Sequence, residues 1–334
     1  MEYKYFGQTG IKVSQLCLGA MSFGGIADYD ESKAMYRAAR ETGINFIDCA
    51  NVYQKGIAEE YVGDFSAGER DDLVIATKAY FPMSEKINDR GSSRKNLTLS
   101  LHASLKRLKT DYVDIFFLHR FDENASLEET MRTLEDFVKQ GKILNIGVSN
   151  FSAWETEKTL RVCDKHNLTP VHAVQPMYNL VKRQAEVEIL PMAKAEGLGV
   201  MTYSPLGAGL LTGKYGVGKR PDVGRIVDNP MYASRYKEDF YFEVAEKFSL
   251  FAKDLGVKPA SLAVAWVASH PAVTTPIISG RTAAQLKDSL ESVNIRITDS
   301  IKAELNRMSP PMPPATDRTE EQTSFNYDSI LTKN

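Results

Sequence analysis

The chain has 334 residues, 43% hydrophobic and 25% charged, a globular balance that excludes a disordered polypeptide and leaves room for one large barrel or two medium domains. A net charge of −2 gives no long-range reason to seek nucleic acid or acidic lipid, and no run approaches the apolar length of a membrane span. Cys17, Cys49 and Cys163, odd in number and without a C-x-x-C pair, argue against a disulfide framework or a zinc ribbon; the opening MEYKYFGQTG lacks an apolar signal region, so a reducing cytoplasm is the expected setting.

A hairpin is expected first: EYKYF, a Gln8-Thr9-Gly10 turn, then KVSQL. Eight short apolar segments follow that read as strands: CLGAM (17–21), NFIDCA (45–50), LVIATK (73–78), VDIFFLH (113–119), ILNIGVS (143–149), HAVQPM (172–177), GVMTYS (199–204) and VTTPIIS (273–279). Amphipathic helices separate them. Leu97, Leu101, Leu105 and Leu108 form one apolar stripe, and Leu127, Met131, Leu134 and Val138 another, at the spacing of helices packed on a sheet. Ser126-x-x-Glu129 and Ser152-x-x-Glu155 have the spacing of capping boxes, and Gly141 is placed to end the helix that starts at the first.

Eight strand–helix units with few long insertions predict an α/β fold, a (β/α)8 TIM barrel, over residues 1–308 as a single domain. The rival is a doubly wound sheet, which would want G-x-G-x-x-G directly after its first strand; CLGAMSFGG does not supply it. Two regions break the rhythm. Residues 212–237, rich in Gly and basic residues, read as a long functional loop; Gly213 to Lys219 mimics part of a P-loop, but Arg220 stands where Ser or Thr must bind magnesium. The tail 309–334 is Pro-rich and then polar, and reads either as a frayed end or as a lid over the barrel mouth with Phe325 and Tyr327 as apolar contacts.

In such a barrel the chemistry lies where the strands end. The second strand ends in Asp48, the third in Lys78, the fourth in His119 and the fifth in Ser149-Asn150; the sixth carries Gln175, the seventh ends in Tyr203-Ser204, and Arg281 follows the eighth. Asp48 and Lys78, on adjacent strands, are expected to pair, because burial favours pairing over two lone charges. Tyr53, just beyond Asp48, could reach the same spot, where an ammonium pulls a phenol's pKa down and readies it to give up a proton. His119 adds a hydrogen-bonding group. Metal ligation by Asp and His is the competing use, weakened by the Lys78 cation and by the absence of H-x-H or H-E-x-x-H spacing, so no metal is expected.

With these residues on a barrel, the chain resembles the aldo-keto reductase superfamily over nearly all of its length. The marks are LGAMSFGG, FIDCANVYQKG, IATK, SLKRLKTDYVDIFFLHRFD, GKILNIGVSNFS, VQPMYNL, YSPLGAGLLTGK and PIISGRTAAQL; NDRGSSRKNL looks like bacterial members. The resemblance implies that the opening hairpin seals the barrel bottom. It further implies NAD(P)H-dependent reduction of a small-molecule carbonyl, with Tyr53 as proton donor, Lys78 and Asp48 tuning it, and His119 orienting the carbonyl. By the same resemblance Ser149, Asn150 and Gln175 hold the nicotinamide carboxamide and Tyr203 stacks on its ring. Ser204, Leu206, Gly209, Leu211 and Lys214 fall on the pyrophosphate segment. Gly19, Met21 and Asp48 line the cofactor near the first strands, and Gly280, Arg281 and Gln285 hold the adenosine end. Two positions depart from the family pattern: Ser289 stands where close members often carry Asn, and Ser279 where Gly is common.

The cofactor is expected to be NADP(H), since the Arg281 guanidinium, with Ser279 and Thr282 nearby, offers a planar donor set suited to a phosphate. Two alternatives share the fold: oxidation of an alcohol or sugar with Tyr53 as base, and a non-catalytic cofactor-binding subunit like the potassium-channel β subunits that resemble this family.

Overall fold

Two-residue periodicity sorts the side chains of each strand into those facing the inside of a barrel and those facing its helices. The computed structural model describes residues 1–322; Phe325 and Tyr327, the contacts expected of a lid, lie outside the described residues. Strands β1 (Tyr3–Tyr5) and β2 (Lys12–Ser14) pair antiparallel as the expected hairpin. Eight parallel strands follow: β3 (Cys17–Gly19), β4 (Phe46–Asp48), β5 (Val74–Ala79), β6 (Val113–Leu118), β7 (Ile143–Ser149), β8 (Val171–Gln175), β9 (Gly199–Thr202) and β10 (Thr275–Ile278). Each pairs with the next, and β10 returns to pair with β3, so the (β/α)8 barrel closes.

Cys17, Phe46, Val74, Ala76, Ile115, Phe117, Ala173, Met201 and Ile277 pack together in the barrel interior. Their neighbours Leu18, Ile47, Ile75, Phe116 and Ile146 belong instead to the larger cluster shared with the helices. Gly147 on β7 is required by this interior: a Cβ there would lie 2.4 Å from the Phe117 ring. Phe6 from the hairpin enters at the end where the strands begin, meeting Phe46 edge-on with ring centroids 5.3 Å apart. Gly7 lets it in, because with φ +56° a Cβ would lie 2.4 Å from the backbone nitrogen of Gly199. The hairpin thus plugs the bottom, leaving the strand C-termini as the mouth.

The main surrounding helices are Tyr29–Glu41, Ile57–Phe65, Arg94–Leu108, Leu127–Lys139, Ala153–His166, Ile189–Ala195, Asp239–Asp254, Pro259–Ala268, Ala283–Leu290 and Asp299–Met308. Leu97, Leu101, Leu105 and Leu108 are buried as the stripe predicts. Ser152 and Glu155 form the full capping box. The Ser126 box is only half formed: Ser126 Oγ accepts from Glu129 N, without the reciprocal bond. Gly141, with φ +68°, follows the end of that helix as expected.

Residues 212–237 are not simply a loop, which corrects the sequence expectation. They contain helices Arg225–Asp228 and Pro230–Arg235, the second started by Asn229, whose side chain accepts from Met231 N, with Pro230 at its first position. Arg220 is structural: its guanidinium lies 3.3 Å from the centroid of the Phe242 ring and donates to the carbonyls of Gly216 and Lys219. Among the described residues no helix is long and apolar enough to cross a membrane.

Candidate active site

Asp48 is the last residue of β4 and faces inward, two positions after Phe46. The chain beyond it continues along β5, with Cys49 N donating to Ala76 O and Asn51 N to Lys78 O, and this carries Tyr53 over Lys78. Lys78, two positions after Ala76 on β5, is fully buried. Its Nζ donates to Asp48 Oδ1 at 2.6 Å and to Cys49 O at 2.7 Å, and lies 3.5 Å from Tyr53 Oη. The segment turns sharply after Tyr53, where Gln54 and Lys55 both take left-handed backbone at φ 49° and 54°. His119 extends β6, its N–H donating to Ala79 O, and its ring lies 6.1 Å from that of Tyr53.

Burial and charge act against each other here. Burial alone would lower the Lys78 pKa, but Asp48, followed by Tyr53, outweighs it and raises the pKa, so the ammonium persists. Burial pushes the Asp48 carboxyl up, opposed by Lys78 and Gln175. Lys78 does pull the Tyr53 phenol down, as the sequence suggests, yet burial is the larger effect and the net shift is upward. His119 is driven well below its ordinary value, first by burial and then by Lys78, so its imidazole is neutral near pH 7. Its Nδ1 is buried with no hydrogen-bond partner among the described residues.

The ends of β7, β8 and β9 join this group through one hydrogen-bonded net. Gln175 Nε2 donates to Asp48 Oδ1 at 2.9 Å, and Ser149 Oγ donates to Gln175 Oε1 at 3.1 Å. Asn150 Nδ2 donates to His119 O, and Asn150 Oδ1 accepts from Tyr203 Oη at 2.7 Å. Asn150 and Ser204 hold left-handed backbone, φ 57° and 59°, a costly conformation for non-glycine residues that turns both segments sharply at the mouth.

The remaining predicted residues lie on three neighbouring rim segments, because β10 pairs with both β9 and β3. Gly19 ends β3 and Met21 follows it; the hydroxyls of Ser22 and Ser279 lie 3.2 Å apart across the seam. Ser204, Leu206, Gly209, Leu211 and Lys214 lie on the turns after β9. Gly209, at φ 95°, has open space where a Cβ would stand, its N–H donates to Leu206 O within the turn, and Lys214 is exposed. Leu211 does not present its side chain, which is fully buried in the core. Gly280, Arg281 and Gln285 follow β10; Gln285 Oε1 accepts from Arg281 N, and Arg281 Nη2 lies 3.4 Å from Asp228 Oδ2. Thr282 spends its hydroxyl on capping helix Ala283–Leu290, accepting from Gln285 N. Ser289 Oγ is buried and unpartnered among the described residues.

Sequence reading missed two supports. Glu59, fully buried on helix Ile57–Phe65, accepts from Thr77 Oγ1 at 2.5 Å and from Arg107 Nε at 2.7 Å. Thr77 precedes Lys78, so this bond ties the helix just after Tyr53 to the strand that carries Lys78. Phe81 stands edge-on to His119 with centroids 4.8 Å apart. Only a charged residue at an inward helical position hinted at the first, and only an aromatic shortly after a strand end at the second.

A sequence model of the Aldo/keto reductase family matches residues 15–309. An uncharacterized oxidoreductase, YrpG of Bacillus subtilis, is 38% identical, the match covering 93% of this chain and 96% of that protein. A probable voltage-gated potassium channel subunit beta of Oryza sativa is 36% identical over 91% of this chain and 96% of its own length. Norsolorinic acid reductase of Aspergillus flavus is 33% identical over 90% of this chain and 79% of its own.

Proposed function

Because the chain belongs to the aldo/keto reductase family, whose members are oxidoreductases that generally use nicotinamide cofactors, we propose that it reduces the carbonyl of an aldehyde or ketone with NADPH, Tyr53 giving the proton. The observation that carries this reading is the buried Lys78, held by Asp48 at 2.6 Å and placed 3.5 Å from the Tyr53 hydroxyl. Bound nicotinamide would supply the hydride to the carbonyl carbon. As negative charge grows on the carbonyl oxygen, Tyr53 Oη gives up its proton to it, and the phenolate left behind is stabilised by the Lys78 ammonium. Neutral His119, whose ring lies 6.1 Å from that of Tyr53, would hydrogen-bond the same oxygen and fix its direction. Ser149, Asn150 and Gln175 would hold the carboxamide and Tyr203 the ring face. Ser204 to Lys214 would take the pyrophosphate, Leu211 through its place in the turn, and Gly280, Arg281 and Gln285 the adenosine, with Gly19 and Met21 along the cofactor.

The raised phenol pKa keeps Tyr53 protonated near neutral pH, the form that donates to a carbonyl oxygen; the same group deprotonated would act as base in alcohol or sugar oxidation. A relative named for reducing norsolorinic acid supports a carbonyl substrate, whereas relatives named as channel subunits support a cofactor-binding role. The enzyme reading is preferred because a binding role alone makes no use of a phenol set over a buried ammonium. Following NADPH absorbance against a panel of aromatic aldehydes, ketones, dicarbonyls and sugars tests it. Carbonyl-dependent oxidation is expected; tight cofactor binding with no carbonyl turned over would favour the channel-subunit reading instead.

A further inference from the structure

Two groups of the β10 rim segment that suit an anion are already engaged by carboxylates of this chain. Asp228 Oδ2, on the short helix Arg225–Asp228, lies 3.4 Å from Arg281 Nη2 and also accepts Gly224 N–H at 3.0 Å, which fixes its direction. Glu31 Oε1 accepts Ala283 N–H at 2.5 Å, at the first turn of helix Ala283–Leu290. Arg281 is itself pinned at its backbone by Gln285. A phosphate approaching the Arg281 guanidinium therefore meets a carboxylate already on it, and two anions on one guanidinium repel.

We infer that Asp228 is a specificity-determining residue that competes with the 2′-phosphate of NADPH for Arg281 and holds down the preference for NADPH over NADH. This rests on the proposed role of Arg281 in the reading above. NADH carries no 2′-phosphate and has no quarrel with the Asp228–Arg281 pair, whereas the 2′-phosphate of NADPH meets Arg281 with its charge already partly offset by Asp228 and is repelled by that carboxylate. A mere latch, in which Asp228 holds residues 212–237 closed over any cofactor, has the opposite consequence: its loss would loosen both cofactors alike.

The test is titration calorimetry of the full chain and of Asp228→Asn and Arg281→Ala with NADPH, NADH, adenosine 2′,5′-bisphosphate and AMP, none of which requires turnover. Asparagine keeps an oxygen for Gly224 N–H and removes only the charge; Asp228→Ser serves as a second neutral variant should the first misfold. We expect Asp228→Asn to tighten NADPH and adenosine 2′,5′-bisphosphate about fivefold or more, the scale of one unit-charge interaction at ~4 Å in water, and to leave NADH and AMP unchanged. Arg281→Ala should abolish the discrimination. If Arg281→Ala leaves the NADPH to NADH ratio as it was, the assignment of Arg281 falls and this inference with it. If Arg281→Ala collapses the ratio while the neutral variants leave it unchanged, or weaken both cofactors equally, the competition alone is overturned.

Discussion

Gln175 donates its side-chain amide to Asp48 Oδ1 at 2.9 Å, on the same oxygen that receives Lys78 at 2.6 Å. The two residues are 127 positions apart on β8 and β4, four strands apart around the closed barrel, so the bond crosses the mouth. It supports one half of the candidate site from the other. Gln175→Leu would strip one donor from a buried carboxylate and leave the Ser149 hydroxyl without its side-chain acceptor. A loss of about 1.5–3 kcal/mol is expected from urea denaturation at pH 7; a change within a few tenths would show that water or neighbouring donors replace the amide.

Lys78 and Asp48 should behave as a unit. Lys78→Met leaves an uncompensated carboxylate among buried groups and should cost about 3–5 kcal/mol, whereas the double variant Lys78→Met/Asp48→Asn should recover much of that. Additive losses in a double-mutant cycle would mean that the two charges are not coupled.

The Glu59–Thr77 bond offers a separate handle, since it touches none of the groups proposed to meet substrate. Thr77→Val should remove a hydrogen bond to a charged group, costing about 1.5–3 kcal/mol, and Thr77→Ser should restore it. If the bond sets the spacing of Tyr53 over Lys78, Thr77→Val should also lower kcat several-fold with cofactor KD unchanged; loss of stability with wild-type kcat would reduce it to a structural tie.

Acid stability follows from the histidines. The folded His119 pKa lies well below the unfolded value of about 6.5, so between the two the unfolded chain holds the extra proton. Stability present above pH ~6.5 is therefore lost as pH falls, by at most about 1.4 kcal/mol per pH unit for this residue. Burial shifts His172 and His270 the same way, so His119→Asn should flatten the acid slope without abolishing it. An unchanged slope in that variant would contradict a buried, neutral His119.

Much of this arrangement was legible because a barrel strand advertises its end: Asp48, Lys78 and His119 each close an apolar run, and parallel pairing brings such ends together. Tyr53 could be placed because so few residues separate it from Asp48. The Gln175 bond could not, since reaching across the mouth depends on barrel closure rather than on neighbouring strands. Glu59 gave no signal that its partners would be Thr77 and Arg107, and the direction of the Tyr53 shift needed three-dimensional burial to be weighed against one ammonium. Asn229-Pro230, a helix start inside a Gly-rich stretch, was masked by the composition around it.

The proton of Tyr53 is the centre of the account, and Tyr53→Phe removes little else. With a carbonyl substrate identified, kcat for NADPH oxidation should fall about 10²- to 10⁴-fold in this variant, with NADPH KD unchanged by calorimetry. A kcat near that of the unaltered protein, with the cofactor bound equally well, would contradict the assignment of Tyr53 as the proton donor.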